Sequence, residues 1–174
     1  MDFKREIERK FVITNKNYNQ AHYALCGVCT TVTKGASFDS YWKAPNVDFV
    51  RLRENSKELT VKVTDKETIL DRIEENVTVE DLGTAERALT LLYGPPCLRL
   101  KKEFSVFNVE VIPAPGTEYP AILCLYQIEG DDRLFFEIEA ETIQIVDEVY
   151  RTLYKMFILK PEFRSLFQIF MGDK

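Results

Sequence analysis

In six stretches that read as β-strands, charged residues stand at alternate positions: EIERKFVI, FVRLRE, LTVKVT, LDRIEENV, LRLKKEF and RLFFEIEA. A strand sends successive side chains to opposite faces, so each stretch gathers its charges on chosen sides. Glu6, Glu8 and Lys10 share one face, against Ile7, Arg9 and Phe11 on the other. Arg51 and Arg53 lie together, as do Thr60, Lys62 and Thr64, and then Arg72, Glu74 and Asn76. Lys102 shares its side with Leu100 and Phe104, while Glu137 and Glu139 stand opposite Phe136 and Ile138. Any one such face suits water. As a set they behave differently, because each face carries mostly one sign. The acidic pairs fall near the chain ends and the basic residues in the middle, as a cavity with a metal wall and polyanion-binding walls would require.

The rest of the chain supplies a scaffold for these strands. Spacing of Tyr18, Ala21, His22, Leu25 and Val28 predicts a helix from Lys16 to about Cys29, capped by Asn15 or Asn17. SFDSYWKA, DFVRLREN, KELTVKVT and ILDRIEENVTV read as four strands separated by APNVD, ENSKE and TDKE turns. A helix from about Val79 to Tyr93 ends at Gly94-Pro95-Pro96, where proline has no N–H to continue it. CLRLKKEFSVF, AILCLYQIE and RLFFEIEA add three strands. The last long helix spans about Glu141 to Leu159 with an apolar stripe of Thr142, Val146, Val149, Leu153 and Phe157, and FRSLFQIF forms a short helical tail. Seven or eight strands with few helices point to an antiparallel α+β fold. A closed barrel would also leave no unpaired edge.

Composition narrows the partners. At 174 residues the chain suits one domain, residues 1–174. A formal net charge of −5 argues against nucleic acid or an anionic membrane as partner. The charged start MDFKREIERK lacks a secretory apolar stretch, and four cysteines without one imply free thiols in the cytoplasm. Cys26-Gly27-Val28-Cys29 reads as small apolar residues near a helix end, since Cys97 and Cys124 lack the spacing that would complete a zinc site. His22 is the single histidine, so no Ser-His-Asp or Cys-His pairing fits easily, and no phosphate-binding glycine loop appears.

Carboxylates paired from two strands offer hard oxygen ligands for Mg²⁺ or Mn²⁺. Arginine forks and lysine charges suit phosphate oxygens. Together they suit a metal-chelated polyphosphate and the charge that develops as a phosphoryl bond breaks.

Glu6-Ile7-Glu8-Arg9-Lys10 resembles the ExExK signature of the CYTH family, the triphosphate tunnel metalloenzymes. The resemblance continues in order: FDSYWKAP with Asp39 and Tyr41, VRLREN, LTVKVT, DRIEENVTV, LRLKKEF, FFEIEA and the terminal FRSLFQIF. It implies an eight-stranded antiparallel closed tunnel, or barrel, with flanking helices, taking a triphosphate-bearing small molecule. Glu6, Glu8, Glu137 and Glu139 would hold Mg²⁺ or Mn²⁺, and Lys10, Arg51, Arg53, Lys62, Arg72 and Lys102 would grip phosphates. Glu6, Glu8 and Lys10 would carry catalysis, supported by Glu74, Tyr41 and Tyr126. The implied activity is hydrolysis of an inorganic, nucleoside or thiamine triphosphate, by a monomer or homodimer. Cyclisation of ATP to cyclic AMP is one alternative, and non-catalytic binding of a nucleotide or other polyanion is another. Three positions depart from the family pattern: Asn76 for an acid, Phe104 for a second base, and Tyr126 for an aspartate. Phe104 and Tyr126 would suit stacking on a nucleotide base.

Overall fold

The computed structural model describes residues 4–64, 71–114 and 117–172. The side chains of several strand-end residues, Glu6 and Arg72 among them, lie outside the described residues. Thirteen elements follow one another: β1 (Lys4–Ile13), α1 (Tyr18–Cys26), β2 (Thr30–Trp42), β3 (Phe49–Arg53), β4 (Glu58–Thr64), β5 (Asp71–Thr78), α2 (Leu82–Tyr93), β6 (Leu98–Ala114), β7 (Thr117–Ile128), β8 (Leu134–Ala140), α3 (Ile143–Leu153), β9 (Leu159–Glu162) and α4 (Leu166–Met171). The fold is α+β. Its strands form one nine-stranded sheet in the order β5-β4-β3-β2-β6-β7-β8-β1-β9, with an additional pairing of β5 with β1.

Two corrections to the expected strands stand out. β2 begins seven residues before SFDSYWKA, at Thr30, and the side chains of Thr30 to Ala36 stay largely exposed. β9 makes a ninth strand where eight were expected, and its Pro161 stands opposite Phe11 of β1. The expected long helix is also shorter. It stops at Leu153, after which Phe157 still reaches the core through a turn that returns its N–H to the Leu153 carbonyl.

The chain divides into two compact units. One comprises residues 1–5, 36–101 and 164–174. Within it β2, β3, β4 and β5 form an antiparallel meander. Trp42, Val50, Leu52 and Leu89 make its core, and the Trp42 indole donates to the Gly94 carbonyl at 3.1 Å. The Asp81 carboxylate caps α2 by accepting from the Thr84 N–H, and Gly94 ends it with a positive φ of 83° that a residue with a Cβ adopts only under strain.

The other unit comprises residues 6–35 and 102–163. β6 and β7 form a long hairpin, β7 pairs with β8, and β8 with β1. Phe11, Leu25, Phe107, Leu123, Phe136, Val146 and Val149 lie in its core. Asn17 and Gln20 build a reciprocal capping box at the start of α1. α3 buries Ile145, Val146, Val149 and Leu153, an i, i+1, i+4, i+8 stripe. Among the described residues no helix is long and apolar enough to cross a membrane.

Candidate functional site

The predicted residues fall into two groups, one in each unit. The acidic group stands on β1, β7 and β8. Antiparallel register sets Glu8 opposite Glu139 and Lys10 opposite Glu137, so three acids and a lysine meet across one strand pair. This is the face that the EIERK alternation singled out. It is buried: Glu8 is 8% exposed and Lys10 6%. Ionised groups at that depth require partners. The Lys10 ammonium supplies them, 3.1 Å from Glu137 Oε1 and 3.6 Å from Glu8 Oε1. On the opposite face of β1, Arg9 donates to Asp147 of α3 at 2.6 Å, a contact that ties the strand to its helix.

Tyr126 joins this group in a role that the sequence did not suggest. Its hydroxyl donates to Glu137 Oε1 at 2.7 Å. One side of the ring stacks on Phe135 with centroids 5.4 Å apart, and the Lys102 ammonium stands 5.1 Å from its centroid. The ring is wholly buried, so it offers no face to a nucleotide base, contrary to the expectation above. Burial foremost, with Glu137 adding to it, pushes the phenol well above its ordinary pKa. Phe104 is half-buried, and its ring lies 3.5 Å from where a Cβ would stand on Gly35. An alanine at that position would meet the ring in ordinary van der Waals contact.

The basic group stands on β2, β3, β4 and β5. Asp39 faces Arg53 in register and receives both arms of its guanidinium, at 2.9 and 3.1 Å. Lys62 faces Glu74 and pairs with it at 2.9 Å. Arg51 donates to Thr60 at 2.7 Å and lies 3.4 Å from Glu58 and 3.9 Å from Glu74. Thr60 donates to Asn76, which in turn donates to Glu74 at 3.0 Å. Burial alone would raise the Glu74 pKa, but the charges of Lys62 and Arg51 and the bonds from Lys62 and Asn76 outweigh it and hold the carboxylate below its usual range. Burial likewise works against a charged Arg53, and Asp39 more than offsets it. The Arg51 Nε–H is buried and has no acceptor among the described residues, although buried donors are nearly always satisfied.

Sequence reading missed Asp39 as the anchor of Arg53, and with it Glu58 and Thr60. The signal was cross-strand register, which turn lengths only hint at. Tyr41, expected as a supporting residue, packs in the core against Phe49 and Phe167 at 5.3 and 5.9 Å. Lys102 is buried beside Tyr126 in the unit that holds the acidic group. Glu6 and Arg72 occupy backbone positions in β1 and β5, but their side chains lie outside the described residues. Cys26 Sγ is 3.5 Å from His22 Nε2 and 3.4 Å from Thr31 Oγ1.

Among the described residues no three His, Cys, Asp or Glu side chains gather as metal ligands. The donor chemistry of the acidic group nonetheless suits a hard divalent cation. Its anionic groups are all carboxylates, with the Lys10 ammonium 3.6 Å from the buried Glu8.

The CYTH domain family matches residues 4–162. Among curated proteins, none matches the sequence. A conserved hypothetical protein from Pyrococcus furiosus shares the fold at 21% identity and a TM-score of 0.72, over 94% of this chain and 98% of that one. An adenylate cyclase candidate from Vibrio parahaemolyticus aligns at 16% identity and a TM-score of 0.66, over 98% and 100%. An adenylyl cyclase candidate from Hippeastrum with a dominant triphosphatase activity aligns at 10% identity and a TM-score of 0.60, over 97% and 95%.

Proposed function

The chain belongs to the CYTH domain family, and from that premise we propose that it binds a triphosphate and hydrolyses it with the help of a hard divalent cation. The observation that carries this reading is the Arg51 Nε–H, a buried donor without an acceptor among the described residues, within a group that also holds Arg53 and Lys62. Such a donor suits an anion with several oxygens. Closure of the sheet into a tunnel is part of the same proposal and rests on the family resemblance.

In this reading Arg51, Arg53 and Lys62 bind phosphate oxygens. Asp39 holds the Arg53 fork in one orientation, and Glu74 keeps Lys62 and Arg51 from drifting apart. Arg72 and Lys102 are proposed as further phosphate ligands on the strength of the resemblance. Glu8, Glu137 and Glu139, with Glu6, would hold Mg²⁺ or Mn²⁺. When bound, such an ion polarises phosphoryl oxygens and lowers the pKa of water. Lys10 balances Glu8 and Glu137, which limits the repulsion between the carboxylates.

Cyclisation of ATP is the second reading, favoured by the Vibrio protein described as an adenylate cyclase candidate. Phosphorus NMR after incubation with inorganic triphosphate or ATP and Mn²⁺ separates the two. Orthophosphate is the expected product, whereas pyrophosphate with cyclic AMP supports cyclisation. Glu8→Gln should lower turnover at least about 100-fold, as expected for losing a metal ligand, while triphosphate still binds. Tight binding without any product, unaffected by Glu8→Gln, would instead mark a binding protein.

A further inference from the structure

Glu137 Oε1 receives two donors at once, the Tyr126 hydroxyl at 2.7 Å and the Lys10 ammonium at 3.1 Å. A carboxylate oxygen offers about two lone-pair sites, so among the described residues only Oε2 is left for a cation. The hydroxyl cannot readily turn away. Its ring is fully buried, stacks on Phe135 at an interplanar angle of 15°, and lies under the Lys102 ammonium. One phenol therefore holds an anion by its edge and a cation by its face.

We propose that Tyr126 is a specificity-determining positioning residue, which confines Glu137 to one-oxygen coordination and so favours Mg²⁺ or Mn²⁺ over Ca²⁺. The proposal rests on the divalent-cation reading given above. The chemistry behind the preference is geometric. Mg²⁺ demands near-octahedral coordination by single oxygens, whereas Ca²⁺ takes more ligands at longer distances and readily accepts both oxygens of one carboxylate. Removing the hydroxyl returns a lone pair to Oε1 and lets Glu137 present both oxygens. Tyr126→Phe keeps the ring between Phe135 and Lys102, so packing is preserved.

Calorimetric titration with Mn²⁺ alone and Ca²⁺ alone tests this without reference to turnover. In Tyr126→Phe the Mn²⁺-to-Ca²⁺ affinity ratio should fall about tenfold, the effect of losing one hydrogen bond to a charged group. Tyr18→Phe removes a buried hydroxyl that is bonded to Ser105 at 2.7 Å, and should leave the ratio unchanged. In a Glu137→Gln background the Tyr126→Phe substitution should have no further effect on the ratio, which a general loss of stability would not reproduce. An unchanged ratio in a folded Tyr126→Phe protein, with metal bound by the wild type, overturns the proposal alone. A wild type that binds neither ion overturns the divalent-cation reading and this proposal with it.

Discussion

Glu74 is the anion on which the basic group is built, and Glu74→Gln is the most direct test of that arrangement. The carboxylate accepts from Lys62 at 2.9 Å and Asn76 at 3.0 Å, with Arg51 at 3.9 Å. An amide can still accept from Asn76 but gives no attraction to the two cations. Breaking a buried ion pair costs about 3–5 kcal/mol. The side chains of Glu74 and Lys62 are 12% and 11% exposed, so a modest discount for solvent brings the expected loss to about 2–3 kcal/mol. For a chain of 174 residues that lowers Tm by about 5–10 °C. The pH dependence carries a sign. A carboxylate whose folded pKa is depressed stabilises the protein above its unfolded value of about 4.3, and the contribution is lost as pH falls through the folded value. The gap between wild type and variant should therefore be full at pH 7 and close in acid. Urea denaturation at pH 7 and at steps below pH 4.5 reads both. Equal stability at pH 7, or a gap that persists unchanged in acid, would refute the reasoning.

Two further substitutions separate binding from folding. Arg51→Met should raise the Kd for inorganic triphosphate about tenfold, the effect of losing a charge-assisted bond, and calorimetry showing no change would remove Arg51 from the phosphate ligands. Asn17→Ala breaks the capping box of α1 and should cost about 1 kcal/mol in denaturant titration, with triphosphate affinity untouched.

The charged faces were legible because strand periodicity is local: two residues apart means one side, whatever the tertiary structure. That rule placed Glu8 with Lys10 and Arg51 with Arg53, and burial of Glu8 and Lys10 argues against a solvated face. What period two cannot supply is register. Nothing within LCLYQIE says that Tyr126 will meet Glu137, because β7 and β8 could slide by two residues and keep every apolar side chain inside. The bond between them follows from the pairing of Leu125 with Phe136. Thr30 to Ala36 were missed for a different reason. Their side chains are mostly exposed, so no apolar alternation marks the strand. β9 has four residues and a proline, and only its partner β1 makes it a strand.

The pairing of β1 with β8 and β9 also bears on how the chain survives its own synthesis. β1 leaves the ribosome long before either strand exists, and it must wait with its backbone donors and acceptors unsatisfied. Such an edge invites pairing with other nascent chains. FVI alone would be an adhesive segment, but the charges that precede it oppose stacking of one copy on another. By this argument the charges of β1 would serve as gatekeepers during synthesis, and neutralising Glu8 and Lys10 together should show up as aggregation during expression.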